Sequence, residues 1–193
     1  MERLILASGS PRRRELLAQM GYTFEICVPD VDEHAHGHAK DIVAVLSARK
    51  AKAVAARYTS GTVIASDTLV SFQSAPLGKP ANEADASRML HLLSGQTHEV
   101  FTGVTLMDAE DKRVLTRVVR TGVTFRDLSD KEINAYIASG EPMDKAGAYG
   151  IQGGAGKFVT KLDGSYENVI GFPVDDIRQM LDEFHDKAHQ EAL

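Results

Sequence analysis

The sequence predicts an α/β fold in which helices flank a mixed β-sheet. The apolar run 4–7 passes through small polar residues into Pro11, which suits the first turn of a helix, so a buried strand leads directly into a helix. A second buried run, 62–66, follows a helical pattern and a glycine. The β-rich segments 97–108 and 113–126 flank a polar turn, which is typical of an antiparallel hairpin.

The elements before residue 97 follow from local patterns. Alternating apolar and polar residues predict a strand at 22–28, and the polar, histidine-containing segment 29–38 predicts a loop. Apolar residues near helical spacing predict a helix at 39–57. A hairpin-like stretch runs through 78–80, and a helix with acidic residues in its first turn is expected at 82–93.

The elements after residue 126 end in a helix. Ser129 and Glu132 have the spacing of a capping box, which predicts a helix to about residue 139. The glycine-dense segment 144–156 is expected to be irregular. A strand at 158–162 and a closing amphipathic helix from 173 to about 185 complete the α/β pattern.

Composition excludes several classes of protein. A chain of 193 residues with 43% hydrophobic and 25% charged residues fits one globular domain. The net charge of −5 argues against a nucleic-acid surface, and no apolar run approaches the roughly 20 residues needed to span a bilayer. Cys27 is the only cysteine, so we expect no intrachain disulfide, no Cys-based zinc site and a cytoplasmic location.

The turn after the first strand is a candidate anion site. The hydroxyls of Ser8 and Ser10, the free backbone N–H groups of the helix start and the guanidinium groups from Arg12 to Arg14 converge there. Such a point favours phosphate, since the helix start supplies donors and guanidinium binds phosphate oxygens in pairs. A capped helix with solvated arginines is the alternative. The three successive arginines favour the anion site.

Acidic residues at strand ends are candidates for catalysis. Asp67 directly follows a buried strand, Asp144 precedes a glycine-rich segment, and a third group follows the second strand: Asp30, Asp32 and Glu33. Ligands of α/β sheets bind beyond strand ends, and two carboxylates near a phosphate suit Mg²⁺. A loop acid taken alone is most simply solvated, whereas Asp67 follows hydrophobic sequence and is expected to be sheltered.

Other patterns are less specific. Lys79 lies between a glycine and a proline, which suits either a phosphate clamp or a surface hairpin. The glycine-rich stretch 150–157 is not a P-loop, because Ile151 and Phe158 stand where glycine and Ser or Thr are required. Three histidines alternate within 29–38 and are interpreted as part of a polar loop. No G-x-S-x-G nucleophile elbow occurs.

Six stretches of the chain resemble the motifs of the Maf family of nucleoside triphosphate pyrophosphatases, in the family's order. The matching stretches are 6–13, 66–68, 77–80, 93–98, 144–153 and 164–173. The resemblance implies a Maf-like domain over 1–185, followed by a tail at 186–193. It also implies a single elongated domain with a central mixed β-sheet and two lobes with a cleft between them, similar to the inosine triphosphate pyrophosphatase group.

The resemblance further implies a reaction. Members of the family hydrolyse nucleoside triphosphates between the α- and β-phosphates with a divalent metal, Mg²⁺ or Mn²⁺. The blocks 144–153 and 164–173 are most similar to the branch that acts on dTTP and UTP, so pyrimidine triphosphates, including modified uridine forms, are the expected substrates. The implied role is housecleaning of the nucleotide pool, and the resemblance also suggests a homodimer.

Site residues follow from the resemblance position by position. Asp67 matches the family's general base and one of the acids that bind the metal. Glu33 matches a second acid associated with the metal, and Asp32 is the alternative to it. The remaining matches concern the substrate. Substrate choice is linked to Arg12, Thr68 and Gln152, and phosphate binding to Ser8, Arg13 and Lys79, with Lys50 as a further candidate.

Two other function classes compete with hydrolysis. A nucleotide-binding regulator of cell division would use the same site with little turnover, but Asp67 and Glu33 are needed only for chemistry, which disfavours it. A nucleic-acid-binding protein could hold a backbone phosphate at the serine–arginine turn. The negative net charge and the absence of tryptophan leave it without a stacking platform.

Overall fold

The chain forms one seven-stranded sheet with helices on both faces. In this computed structural model, the backbone is described for residues 3–191 and the side chains for residues 3–186. The strands are β1 (Leu4–Leu6), β2 (Phe24–Ile26), β3 (Thr62–Phe72), β4 (Ala75–Leu77), β5 (Thr97–Asp108), β6 (Val114–Phe125) and β7 (Val159–Asp163). The helices are α1 (Pro11–Gln19), α2 (Ala39–Ala55), α3 (Glu83–Leu93), α4 (Asp130–Ala138), α5 (Tyr166–Ile170) and α6 (Val174–Glu191).

The sheet is mixed, as the sequence predicts. The strand order is β2-β1-β3-β5-β6-β7, with β4 paired to the end of β3. The pairs β1–β2 and β1–β3 are parallel, because the intervening α1 and α2 return the chain to the same edge. The other pairs are antiparallel, and the predicted hairpin of two long strands is β5–β6. The predicted fold class is therefore confirmed.

The hairpin-like stretch that is predicted to run through 78–80 contains the antiparallel pair β3–β4. The hairpin turn is formed by Gln73 and Ser74, between β3 and β4, and both have positive φ, 49° and 68°. Two positive φ angles in a two-residue turn match the twist of the flanking strands. The residues usually chosen for such a turn are Asn and Gly, so the sequence carries no signal for it.

Two helices differ from the prediction at the C-terminal end. Helix α5 was not predicted, because five residues are too few to show a helical period; the Ser165 hydroxyl caps it by accepting from the N–H of Asn168 at 3.1 Å. Helix α6 continues to Glu191, beyond the predicted end near 185. The predicted capping box of α4 is confirmed, with reciprocal bonds between Ser129 and Glu132.

The core divides into an end where α2 and α6 sandwich the sheet and an end covered by α3 and α4. At the first end, alternate side chains of β1 and β3 face opposite layers, because strand side chains alternate. Those facing α2 are Ile5, Ala7, Val63 and Ala65; those facing α1 and α6 are Leu4, Leu6 and Ile64. At the other end, Val70, Val100 and Phe125 pack beneath α3 and α4. A cleft opens between the two ends.

Candidate active site

The cleft is a cavity of about 1030 Å³. It is walled by the turns after β1 and β2, by α2 and β3, by the loop after β4 and by the irregular segment before β7. The nine residues to which the family resemblance assigns a role all line it: Ser8, Arg12, Arg13, Glu33, Lys50, Asp67, Thr68, Lys79 and Gln152. The fold therefore brings together residues that lie up to 144 positions apart in the chain. Their individual roles stay predictions at this point.

The turn after β1 places Ser8, Arg12 and Arg13 at the cavity. Helix α1 begins at Pro11, and the hydroxyl of Ser8 accepts a hydrogen bond from the N–H of Ser10 at 3.1 Å. Arg12 and Arg13 face the cavity, whereas Arg14 is exposed and does not line it. The expectation that three guanidinium groups converge is therefore wrong for Arg14, which helical rotation carries away from the cleft.

Arg13 is largely engaged by the protein. It donates to the carbonyl oxygens of Gly171 at 3.0 Å and Ser66 at 2.8 Å, and to the hydroxyl of Thr68 at 3.3 Å. These bonds use three of its five donors, so two are left for a ligand. Burial lowers the pKa of the Arg13 guanidinium, and the nearby charge of Asp67 partly opposes that effect. A fixed, charged group therefore stands between α1, β3 and α5.

The centre of the site is a lysine held between two carboxylates. The ammonium of Lys50, on α2, lies 2.7 Å from Oδ1 of Asp67 and 2.8 Å from Oε1 of Glu33. The side chains of Lys50 and Asp67 are 9% and 13% exposed, whereas that of Glu33 is 59% exposed. The hydrogen bond to Lys50 holds the pKa of Glu33 below its ordinary value. Glu33 is thus ionised, and each of the two carboxylates has a second oxygen that Lys50 does not contact.

The reach of Lys50 depends on a glycine. Gly103 of β5 lies directly opposite Asp67 of β3, so both face the same side of the sheet. A Cβ added at Gly103 would lie 2.2 Å from the backbone oxygen of Val43 on α2. The helix therefore approaches the sheet more closely here than any side chain would allow. Lys50 follows Val43 by two helical turns and points at the same face.

The structure separates Glu33 from Asp32. Glu33 lines the cavity, whereas Asp32 does not; its carboxylate instead accepts from the N–H of His34 at 2.9 Å and contacts the ring of His34 at 2.6 Å. Arg49 of α2 donates to the backbone oxygens of Asp32 and His34 on either side of Glu33. The loop 29–38 contains no helix or strand, as predicted, and α2 fixes its position.

A buried hydroxyl network supports Thr68. The hydroxyls of Thr68 and Thr102 lie 2.9 Å apart, and Thr102 donates to the backbone oxygen of Asn168 at 3.0 Å. The Asn168 amide in turn donates to the carbonyl of Val100 at 3.2 Å and the hydroxyl of Thr121 at 3.0 Å. The network ties β3, β5 and β6 to α5. It therefore fixes the floor of the cavity beside Arg13.

Lys79 and Gln152 lie on the opposite wall, and both are exposed. Their loops are joined, because the N–H of Gly147 donates to the carbonyl oxygen of Gly78 at 3.0 Å. Gly147 and Ala148 have positive φ of 68° and 59°, a conformation that costs energy for alanine and often occurs at functional sites. The glycine-rich stretch leads through a 3-10 turn (Gly154–Phe158) into β7, so it is not a P-loop.

Sequence reasoning gave no role to several residues of this wall. Tyr149 lines the cavity, and its hydroxyl lies 2.8 Å from Nε2 of the buried His98. Burial lowers the pKa of His98 to about 4, so its ring is neutral at neutral pH. Glu141 and Lys145 also line the cavity. The stretches 93–98 and 144–153 were noted as motifs, but only the structure brings these side chains together.

The residues that the structure describes include no complete metal site and no membrane-spanning helix. No three His, Cys, Asp or Glu side chains among them form a ready-made metal site. Asp67 and Glu33 nevertheless supply two carboxylates to one cavity, which is the donor set that Mg²⁺ uses when substrate phosphates complete its coordination. Among the described helices, none combines the length and apolar character needed to cross a membrane.

Comparison with known proteins establishes the family of the chain. A family model described as Maf-like protein matches residues 3–184. The chain belongs to the Maf family. A relative from Bacillus cereus named dTTP/UTP pyrophosphatase is 50% identical over 187 residues, which cover 96% of this Maf chain and 91% of the relative. Proteins of the same name from Bacillus thuringiensis subsp. konkukian and Bacillus anthracis are 50% and 49% identical, each covering 96% of this chain and 97% of the relative.

Proposed function

We propose that this Maf protein hydrolyses dTTP and UTP between the α- and β-phosphates, releasing a nucleoside monophosphate and pyrophosphate. The observation that carries the proposal is the cluster of Lys50, Asp67 and Glu33, of which the first two are sheltered, in a cavity that also holds arginine and lysine side chains. A triphosphate needs cations to bind, and its hydrolysis needs a carboxylate that can direct water. Relatives of about half-identical sequence bear the name dTTP/UTP pyrophosphatase, which supports this substrate class.

The triphosphate would be held from two sides. Ser8, Arg12 and Arg13 approach it from the start of α1, and Lys79 approaches from the opposite wall. Cations that are already fixed in place stabilise charge that develops on the departing pyrophosphate without reorganising during the reaction. Arg13 meets this condition best, because its bonds to the protein fix its orientation.

Asp67 is the proposed general base. Its carboxylate is sheltered and lies in the middle of β3, so its position is set by the sheet rather than by a loop. Lys50 keeps Oδ1 of Asp67 in place and leaves the second oxygen for a water molecule. Since an aspartate is a weak base at neutral pH, its main contribution is to orient the attacking water toward the α-phosphorus.

Asp67 and Glu33 are also the residues that would hold a divalent metal. When bound there, Mg²⁺ or Mn²⁺ would neutralise part of the triphosphate charge. The charge of Lys50 lies within 2.8 Å of both carboxylates, which reduces the repulsion between them whether or not a metal is bound. Lys50 therefore favours a short separation between the two acids.

Gln152, Thr68 and Arg12 are the proposed determinants of substrate choice. A carboxamide such as that of Gln152 offers one acceptor and two donors, which match the imide N–H and carbonyl groups that uracil and thymine share. The apolar residues nearby, Tyr149, Ile151 and Val169, give the base a surface to pack against.

A substrate panel tests the proposal. The purified protein is incubated with Mg²⁺ or Mn²⁺ and each common nucleoside triphosphate, together with 7-methyl-GTP, and pyrophosphate is measured. Selective release from dTTP and UTP is the expected result. Release from 7-methyl-GTP alone would contradict the substrate assignment. Tight nucleotide binding with no release would favour the regulatory alternative. Housecleaning of the nucleotide pool, a cytoplasmic location and a homodimer stay predictions.

A further inference from the structure

The feature that carries a further inference is the turn that presents Gln152. Gly150 to Gly153 form a β-turn closed by a hydrogen bond of 3.1 Å from the N–H of Gly153 to the carbonyl oxygen of Gly150. Ile151, within the turn, is buried in the hydrophobic core, whereas Gln152 at the tip is exposed and faces the cavity. The position of Gln152 therefore depends on how firmly the two ends of the turn are held.

Both ends of the turn are held by side chains from a neighbouring element. The hydroxyl of Tyr136, on α4, accepts a hydrogen bond from the N–H of Gly150 at 3.0 Å. The Oε2 atom of Glu141 accepts one from the N–H of Gly154 at 3.0 Å. The Tyr136 hydroxyl donates its own proton to Oε1 of Glu141 at 3.0 Å, so the two side chains form one clamp.

The clamp is rigid. The ring of Tyr136 is buried, and its centroid lies 5.4 Å from that of Phe158 in an edge-to-face contact. Burial raises the pKa of Tyr136, so the hydroxyl stays protonated and can donate. A Cβ added at Gly153 would lie 2.0 Å from Oε1 of Glu141, so the turn and the carboxylate leave no space between them.

We propose that Tyr136 and Glu141 are positioning residues for base recognition, which hold the 150–154 turn so that the Gln152 carboxamide meets the nucleotide base in a fixed place. This inference rests on the proposed function. A turn that is ordered before the nucleotide arrives loses little conformational entropy on binding, so affinity increases without any new contact. Neither side chain needs to touch the nucleotide to have this effect.

Tyr136→Phe tests the clamp most cleanly, because it keeps the ring and removes only the hydroxyl. Steady-state kinetics with UTP are compared in four proteins: wild type, Tyr136→Phe, Gln152→Ala and the double variant. We expect Tyr136→Phe to raise KM about 3- to 10-fold, which corresponds to one lost hydrogen bond, with kcat nearly unchanged. In the Gln152→Ala background the same substitution is expected to leave KM unchanged. Tyr22→Phe, which removes a hydroxyl away from the cavity, is the matched control.

The four-protein comparison separates positioning from a general loss of structure. Damage to the fold would raise KM or lower kcat equally in both backgrounds, so effects that multiply in the double variant would overturn the inference. If the wild type hydrolyses UTP and the effects of the two substitutions multiply, the positioning role of Tyr136 and Glu141 is contradicted but the proposed function is not. A wild type that hydrolyses neither UTP nor dTTP contradicts the proposed function, and the clamp's role in base recognition with it.

Glu141→Gln provides a second, independent variant. Tyr136 and Gly154 donate to different oxygens of Glu141, and a carboxamide places an oxygen at only one of those two positions, so one of the two hydrogen bonds is lost. We expect the same rise in KM, again absent in the Gln152→Ala background, and faster hydrogen exchange at the N–H of Gly154. Glu110→Gln, an exposed glutamate outside the cavity, is the control. Unchanged exchange at Gly154 together with unchanged KM would overturn the inference.

Discussion

The close approach of α2 to the sheet at Gly103 leads to a prediction about catalysis at a distance. The substitution Gly103→Ala adds one methyl group to β5, outside the cavity lining. The atoms that this methyl group would meet, at 2.2 to 2.9 Å, belong to the backbone of Val43 and Ala44. No side-chain rotation can relieve such a contact, so the helix itself has to move.

The size of the effect follows from these distances. Ordinary van der Waals contact begins at 3.4 Å, so α2 has to retreat from the sheet by about 1 Å. A movement of that size at Lys50 would lengthen its 2.7 Å contact with Asp67 beyond hydrogen-bond range. Misplacement by about 1 Å in an active site typically costs about 100-fold in rate. The overpacking itself costs about 1–3 kcal/mol in the free energy of unfolding.

The assay is kcat/KM with UTP, combined with urea unfolding to establish that the variant is folded. Gly122→Ala is the matched control, since it adds the same methyl group to β6, where the nearest atom is the Cβ of Asp163 at 3.3 Å. We expect Gly103→Ala to lose about 100-fold in kcat/KM while Gly122→Ala stays close to wild type. A folded Gly103→Ala protein with wild-type kcat/KM would refute the argument that helix spacing sets the Lys50–Asp67 contact.

Three further predictions concern Asp67, the divalent metal and His98. Asp67→Asn is expected to keep the fold and nucleotide binding but to lower kcat about 100- to 10,000-fold; wild-type-like turnover would remove Asp67 from the mechanism. Removal of divalent metal with a chelator is expected to abolish pyrophosphate release, and Glu33→Gln to raise the Mg²⁺ concentration needed for half-maximal rate; unchanged metal dependence would exclude Glu33 as a ligand. For His98, the folded-state pKa of about 4 lies below the ordinary 6.5, so the unfolded chain binds the proton first as pH falls. Its contribution to the free energy of unfolding is therefore present above pH 6.5 and is lost between pH 6.5 and 4, by about 3 kcal/mol in all. The variant His98→Gln is expected to lack this pH dependence in urea unfolding. A pH profile identical to that of the wild type would contradict the prediction.

The elements with strong local signals could be predicted from sequence. The strand–turn–helix at Pro11, the capping box of α4 and the β5–β6 hairpin each depend on residues within a few positions of one another. The β3–β4 turn could not be predicted, because Gln73 and Ser74 adopt a conformation that their residue types do not favour. Helix α5 was missed because it is shorter than two helical turns.

The candidate residues taken from the sequence line one cavity, but the sequence did not predict their geometry, and their roles stay predictions. Glu33 and Asp32 were alternatives because the loop between β2 and α2 has no regular pattern. The position of Lys50 between two carboxylates depends on the packing of α2 against Gly103, a contact between distant segments that no local pattern encodes. Glu141 is a similar case: in the sequence it is one acid beside a proline, and its contacts with Tyr136 and Gly154 are visible only in the structure.

The central claim is that this Maf protein cleaves UTP and dTTP between the α- and β-phosphates. The most direct measurement is hydrolysis of UTP in water enriched in heavy oxygen, with both products analysed by mass spectrometry. We expect UMP that carries the label and pyrophosphate that does not, because the water directed by Asp67 attacks the α-phosphorus. Formation of UDP and phosphate, or label in the pyrophosphate, would contradict the account.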